Sequence, residues 1–353
     1  MSGVFLQNKL DLMISVVKFN FLLCSVFLLA FSCKTKVDEH SYLEIKGYAQ
    51  GTTFSIIYED SAKKDFSTAI DSLLNVVDLQ MSTYDTNSFI SKFNSEKILS
   101  LDLKNQDLFI YCFNKSKYFH NITNGAFNPA IFPLVKYWGF FNRDSVVIDS
   151  AYILKSILPL VEMDSILINN SADGNRTIFK RKLKSKLDFN AIAQGYSVDL
   201  VADFLTNNEI DNYMVEIGGE ISVRGVNSKG NIWRIGIERP VDSSYIGEYG
   251  FQKIIELKNQ SLATSGNYRK FKTVDGKRVA HTINPKTGYP VENNLLSVTV
   301  VCEKAIDADA LATSFMVMGI DSSINFINNY KKELINAYMI YDSVGNYKEW
   351  SSF

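Results

Sequence analysis

The sequence is poor in the residues that carry most metal and redox chemistry. It has three histidines and four cysteines in 353 residues. No C-x-x-C or mixed Cys/His spacing occurs, which excludes zinc fingers, Cys-bound clusters and thioredoxin-like motifs. Neither sign of charge is in excess: 37 Lys and Arg face 38 Asp and Glu, for a net charge of -1. With no basic stripe either, the electrostatic footprint of a nucleic-acid binder is missing. EIGGE (216–220) lacks the G-x-G-x-x-G spacing and precedes no helix pattern, so a dinucleotide-binding fold is excluded. A P-loop is absent, and Ser265 in TSGNY lacks the G-x-S-x-G frame of a hydrolase elbow. There is no internal repeat and no low-complexity linker.

What is present is a large globular chain. Hydrophobic residues make up 46%, with 18 Tyr and 24 Phe, enough to bury a sizeable core and far from the composition of a disordered chain. FNFLLCSVFLLAFSC (19–33), just after Lys18, is apolar but falls short of the roughly 20 residues that span a bilayer. It has the form of a secretory h-region. Its end, Ala30-Phe31-Ser32-Cys33, resembles a bacterial lipobox, in which the cysteine becomes the lipidated first residue. Residues 1–32 are expected to be a signal peptide, with Met13 as an alternative start. Residues 33–42 then form a lipidated polar tether, in which His40 is solvated. An uncleaved N-terminal anchor is the other reading. Cys112 (IYCF) and Cys302 (VTVVC) sit in apolar runs and read as buried free thiols.

Beyond the tether, periodicities of two and of 3.6 residues alternate. YLEIKGYAQGTTFSIIYED (42–60) reads as strands broken at Gly-Thr-Thr. Ile70, Leu73, Leu74, Val77 and Met81 predict a helix over Ser67–Met81. MSTYDTNSFISKFN (81–94) reads as a loop and 106–120 as a second amphipathic helix, closed by His120 where the helix dipole favours it. TNGAFNPAIFPLVKYWGF (123–140) reads as a loop turning into a packed apolar segment. LDFNAIAQGYSVDLVADFL (187–205) reads as a short strand, a small-residue loop and a helix. Strands are expected at 212–225, broken by Gly218-Gly219, at 231–240 and at 295–301, with a hairpin turn at VDGK (274–277). AIDADALATSFMVMG (305–319) predicts a helix stopped by Gly319. The mixture points to one large α+β domain, or an α/β one, over residues 43–350.

Asp309 and Thr313, four apart, share a face near the start of that last helix. A carboxylate and a hydroxyl there are hard oxygen ligands of the kind Mg²⁺ takes. On spacing alone, an Asp in a first turn is more often a helix-dipole partner. His281 opens HTINPKTGYP (281–290), just after a predicted hairpin strand. Alone it reads as a structural histidine or as a general base, since its ordinary pKa of about 6.5 suits proton transfer near neutrality.

Taken together the motifs say more. QGTTFS (50–55), MSTYDTNSFISKFN (81–94), TNGAFNP (123–129), LDFNAIAQGYSVD (187–199), VEIGGE (215–220), LATSGNYR (262–269), HTINPKTGYP (281–290) and DALATS (309–314) occur in one order. In that set, from about Gly47 to Gly319, the chain resembles the bacterial FAD:protein FMN transferases, the ApbE family.

The resemblance implies that Asp309, Thr313 and the main-chain carbonyl of Ala191 bind Mg²⁺, and that His281 is the catalytic base. It implies an FAD site lined by Gln50, Tyr84, Ala126, Phe127, Asn128, Asp188, Gln194 and Ile283. Tyr84 and Phe127 would pack on the flavin or adenine rings, and Asp188 would accept from a polar edge of the nucleotide. The family often has Met where Gln50 stands, Asp where Asn128 stands, and Lys or Glu where Gln194 stands. These departures bear on FAD affinity and orientation more than on the reaction type.

The implied reaction attaches FMN from FAD to a threonine of an exported, flavin-carrying redox protein and releases AMP. With Cys33 lipidated, the enzyme would sit on the outer side of a bacterial membrane. Two other classes stay open: an FAD pyrophosphatase, in which water takes the place of threonine, and a flavin-binding lipoprotein without transfer activity.

Overall fold

Two-residue turns and alternating apolar residues build the scaffold. The computed structural model describes residues 41–141, 148–172, 174–240, 250–267, 271–274 and 277–353. The signal, tether and lipidation expectations, with Met13, Cys33 and His40, lie outside the described residues.

The main sheet has eight strands: β1 (Tyr42–Ala49), β2 (Thr52–Glu59), β3 (Tyr213–Ile217), β4 (Glu220–Arg224), β5 (Gln260–Gly266), β6 (Leu295–Cys302), β7 (Asn336–Ser343) and β8 (Asn346–Ser351). They lie side by side in chain order, each antiparallel to the next. An all-antiparallel sheet settles the fold as α+β. Gln50-Gly51 closes β1 on β2 with both residues in the left-handed region, at φ 53° and 75°. Gly218-Gly219 does the same between β3 and β4. Such turns match the twist of the strands they join.

The alternation decides what each face of the sheet meets. Phe54, Ile56, Tyr58, Val215 and Ile217 pack under α1 (Ser67–Met81) and α3 (Ala193–Asn207), against Ile70, Leu74, Val198, Val201 and Leu205. Ile221, Val223, Leu262, Val301 and Ile340 face the other way. They meet a hairpin of Trp233–Glu238 and Phe251–Leu257 through Trp233, Ile235 and Leu257.

The remaining helices that matter are α2 (Asp107–Ile122), α4 (Ala305–Met318) and α5 (Ile320–Asn329). Helix α1 begins and ends where its apolar spacing placed it. Helix α4 is apolar on every side apart from Asp307, Asp309, Thr313 and Ser314, and residues from Ala305 to Met316, Thr313 apart, are all buried. A helix apolar all round belongs in the interior, and α4 packs on β5 and β6, with α3 beside it. Gly319 stops it at φ 78°.

Three local expectations change. The 81–94 loop contains a short helix, Phe89–Phe93: Ser88 caps it, its Oγ accepting from the Ser91 N–H at 3.1 Å, and Phe89, Ile90 and Phe93 are buried. The apolar segment after Asn128 is helical over Phe132–Tyr137. Residues 187–189 join no sheet, because their amides are used elsewhere. Leu187 N–H donates to Asn94 Oδ1 at 2.7 Å and Asp188 N–H to the Pro129 carbonyl at 2.7 Å.

Candidate active site

The site is organised where α3 and α4 cross. Gly195, in the first turn of α3, has no room for a side chain: a Cβ there would lie 2.4 Å from the Ala305 carbonyl oxygen and 2.8 Å from Asp309 Cβ. That close approach lets the Gly195 N–H donate to Asp309 Oδ2 at 3.1 Å. In return Asp199, one turn further along α3, takes the Ala305 and Ile306 N–H groups at 2.8 and 3.0 Å. These amides are helix-end donors with no partner inside their own helix.

Asp309 is almost wholly buried and, among the described residues, has no cationic partner. Burial raises its pKa to about 7, while the Gly195 N–H pulls the other way. Thr313, one turn on, is half-buried, and its hydroxyl lies 3.3 Å from that of Ser265 on β5. Ala191 lies in the turn that leads into α3. Among the described residues no group of three or more His, Cys, Asp or Glu could hold a metal. The expected set is of another kind, with one carboxylate, one hydroxyl and one carbonyl. A buried carboxylate short of donors beside two hydroxyls fits a hard cation that keeps part of its own water shell. Asp307, two residues away, points elsewhere: it pairs with Lys115 of α2 at 2.7 Å.

Gln50 and Gln194 both reach this crossing. Gln50 Nε2 donates to Ser197 Oγ at 2.5 Å, tying the β1–β2 turn to α3. Gln194 Nε2 donates to the Ile217 carbonyl at 3.2 Å and lies over Gly218, where any Cβ would collide with it. Both departures from the usual family residue are thus used as amide bridges between turns and helix.

Tyr84 and Asp188 form a second group. Tyr84 is 67% exposed and stacks on Phe141 with centroids 5.2 Å apart. Asn190 hydrogen-bonds it, and the charge of buried Asp188 is close enough to raise its pKa after burial has done most of that. Burial lifts Asp188 itself to about 6, against the pull of the Asn190 N–H at 2.8 Å. Asn128 is joined to Asp188 through Pro129. Its Oδ1 accepts from Ala130 N–H at 2.9 Å and its Nδ2 donates to the Val161 carbonyl at 2.8 Å. An aspartate could make the first bond and not the second.

The aromatic role expected of Phe127 is taken up differently. Its ring is buried in the core at 2% exposure, edge-on to Phe119. Its backbone faces polar partners instead: the N–H donates to Thr123 Oγ1 at 3.0 Å, and the carbonyl lies 3.0 Å from His120 Nδ1. Ala126 is also buried. Ile283 is buried with Leu134, Trp138 and Ile153, and bridges to Pro290.

HTINPKTGYP closes on itself. Asn284 Oδ1 takes the Lys286 N–H at 2.9 Å, and the Asn284 N–H donates to the Tyr289 carbonyl at 2.8 Å. Trp138 Nε1 donates to the Gly288 carbonyl at 2.8 Å. Gly288 has φ 79°, and a Cβ there would sit 2.7 Å from Ile153 Cγ2, so only glycine fits. His281, half-buried, begins this locked loop. Its neighbour Thr282 donates to Asn267 Oδ1 at 2.7 Å. Asn267 ends the strand segment whose Ser265 touches Thr313, so the loop and the α4 site share β5 as their frame. An open hollow of about 330 Å³ lies beside the loop, lined by His120, Asn121, Asn124, Asn128 and Lys286 among others.

Asp199, Gly195, Ser265, Asn190 and Asn267 were given no role from the sequence. All fall inside or beside the quoted motifs, which was the only signal for them.

The described residues thus present a buried oxygen-rich corner at Asp309 and Thr313 and, lined by other residues, a hollow beside the rigid histidine loop. The sequence model of the ApbE family matches residues 50–339. A relative from Vibrio cholerae, named FAD:protein FMN transferase, is 35% identical, covering 94% of this chain and 95% of its own. One of the same name from Haemophilus influenzae is 32% identical over 88% and 90%. Among solved structures, the flavin transferase ApbE from Vibrio cholerae superposes with a TM-score of 0.76 at 34% identity, over 88% of this chain and 97% of that one. The apo flavinyl transferase ApbE of Pseudomonas stutzeri gives 0.77 at 27% identity, over 90% and 96%. Fold and likenesses together define a transferase. The chain belongs to the ApbE family.

Proposed function

We propose that this protein is an Mg²⁺-dependent FAD:protein FMN transferase that links FMN to a threonine of an exported flavin-carrying protein. The observation that carries the reading is buried Asp309, which among the described residues accepts from one backbone amide, beside the hydroxyls of Thr313 and Ser265. The names of the relatives supply the substrates.

Asp309, Thr313 and the Ala191 carbonyl would hold the ion. When bound, it supplies electrostatic stabilisation of the charge that builds on the two phosphates. The protein's part is positioning. Gly195 fixes one oxygen of Asp309, Tyr84 and Asp188 border the nucleotide, and the turn from Asn284 to Gly288 holds His281 in place. His281 takes the proton from the threonine hydroxyl as the Oγ–P bond to the FMN phosphate forms. The P–O bond to the AMP half breaks, and AMP leaves with the bridging oxygen.

The test is AMP release from FAD, with and without an acceptor peptide bearing a threonine. Release that needs the peptide, together with flavin bound covalently to it, is the expected result. Equal release without peptide would make the protein a pyrophosphatase, and flavin binding without release would make it a carrier.

We also infer a bacterial membrane location facing the periplasm or the cell exterior, anchored through lipidated Cys33, from the apolar run and the polar tether after it. Cys33→Ser should move the protein from the membrane fraction to the soluble fraction. A bacterial lipoprotein cysteine carries more than one acyl chain, and loss of both removes the anchor. A variant that stays membrane-bound with an intact N-terminus would show the h-region to be the anchor.

A further inference from the structure

We propose that Asp199 is a positioning residue for the metal ligand Asp309, holding α4 in axial register through the Ala305 and Ile306 amides. The inference rests on the reading of Asp309 as a ligand.

Three rungs join the two helices. On α3, Gly195, Asp199 and Asp203 are spaced by four and share a face. Gly195 N–H meets Asp309, Asp199 meets the Ala305 and Ile306 amides, and Asp203 meets Lys304 Nζ at 2.9 Å. The numbers run up one helix as they run down the other, so the rungs form an antiparallel ladder. Its last rung is at the surface, while the other two are buried. The ligand carboxylate is the acceptor of the first rung.

A cap of this kind is usually local. The residue before α4 is Lys304, whose side chain makes no capping bond. The cap is provided by the helix that touches the ligand. Ala305, Asp309 and Thr313 form one row along α4, and a helix rises about 1.5 Å per residue, so Asp309 lies about 6 Å beyond Ala305 on a stiff rod. A slip or rotation at Ala305 therefore moves both Asp309 and Thr313. Among the described residues the row is otherwise held only by the Gly195 amide on Asp309 and the Ser265 hydroxyl near Thr313. Keeping a carboxylate buried at Asp199 has a cost, visible in a pKa that burial raises to about 7 despite two amide donors. An asparagine would cap one amide without that cost. The charged, two-oxygen group satisfies both amides at once, which an asparagine cannot do.

The experiment measures Mn²⁺ binding to the purified protein by electron paramagnetic resonance, alongside Tm, for wild type, Asp199→Asn and Val201→Ala. Val201 is a fully buried core residue of α3 that makes none of the rung hydrogen bonds and is not a proposed ligand, so it serves as a stability control. Outer contacts of metal ligands typically change affinity by roughly 10–100-fold. Asp199→Asn should weaken Mn²⁺ by about that factor, while Val201→Ala lowers Tm and leaves the affinity unchanged. If Asp199→Asn does not fold, Asp199→Ser, a shorter cap with one acceptor, is read in the same way. Equal Mn²⁺ affinity in wild type and the Asp199 variant would reduce Asp199 to an ordinary helix cap and overturn the proposal. Wild-type protein that binds no Mn²⁺ would instead overturn the ligand reading of Asp309, and the positioning role with it.

Discussion

Asp309→Ala should abolish metal-dependent AMP release, lowering the rate by on the order of 10²-fold or more, the range seen when one preorganised electrostatic partner is removed. Alanine also leaves the Gly195 N–H without an acceptor, so a loss of activity alone would not separate chemistry from folding. Asp309→Asn makes that separation. Its Oδ1 can still accept the Gly195 N–H, and removing a buried charge that burial already pushes toward its neutral form should hold or raise Tm. Activity should be lost all the same, because the anionic ligand is gone. Asp307→Ala is the contrast. Asp307 pairs with half-buried Lys115, so its loss should cost about 1–2 kcal/mol of stability and leave turnover near wild type. Steady-state AMP release and thermal unfolding of the three variants decide the matter. An active Asp309→Asn, or an Asp307→Ala that is stable and dead, would move the metal site to the other carboxylate.

Much of this arrangement was legible in the sequence, for unequal reasons. Helix α1 shows its stripe, and α4 shows its apolar run and the Gly319 that stops it. Gly218-Gly219 and the Gly51 that opens the Gly-Thr-Thr break mark turns whose backbone takes positive φ, and the strands alternate on either side of them. The helix at Phe89–Phe93 was hidden because Ser, Thr and Asn surround three buried aromatic or aliphatic residues, and a single capping serine decides it. Strands at Ile166–Asn170 and Arg176–Lys180 pair locally with each other, but Ser100–Asp102 joins them from far along the chain, and nothing in its short run announces so distant a partner.

The site follows the same division. Residue types near the nucleotide could be carried over from the family motifs, but a motif does not say which part of a residue faces the ligand. Phe127 illustrates this: its ring completes the core and its backbone meets Thr123 and His120. The bond between Asp199 and Ala305 spans 106 positions and has no periodic signature. Asn128 looked like a lost charge, and its amide turns out to hold Val161 as well. Each of these is a tertiary contact, and tertiary contacts are what single-sequence patterns omit.

His281→Ala should lower the rate of FMN transfer by roughly 10²–10⁴-fold, the contribution of a positioned general base. Flavin affinity should change little, because the imidazole acts on the hydroxyl in the transition state and not on bound FAD. The structure supplies the rigidity that such a base needs. The loop after His281 is closed by Asn284 and Gly288 and pinned by the Trp138 indole, while Thr282 is tied to Asn267. Replacing His281 by alanine breaks none of those bonds, so the loop itself should keep its shape, and Tm is measured alongside the rate. The wild-type rate should drop on the acid side, where the imidazole is protonated and cannot accept a proton, and that limb should be missing in the variant. Presence of the limb is the criterion, since neighbouring charge at the nucleotide can move its midpoint either way. Single-turnover transfer, flavin binding and the pH profile of the two proteins give the answer together. If the variant loses FAD or unfolds while its bound fraction still turns over normally, His281 is structural. The base must then be sought at Asp188, whose raised pKa of about 6 already places it closer to neutrality than an ordinary aspartate.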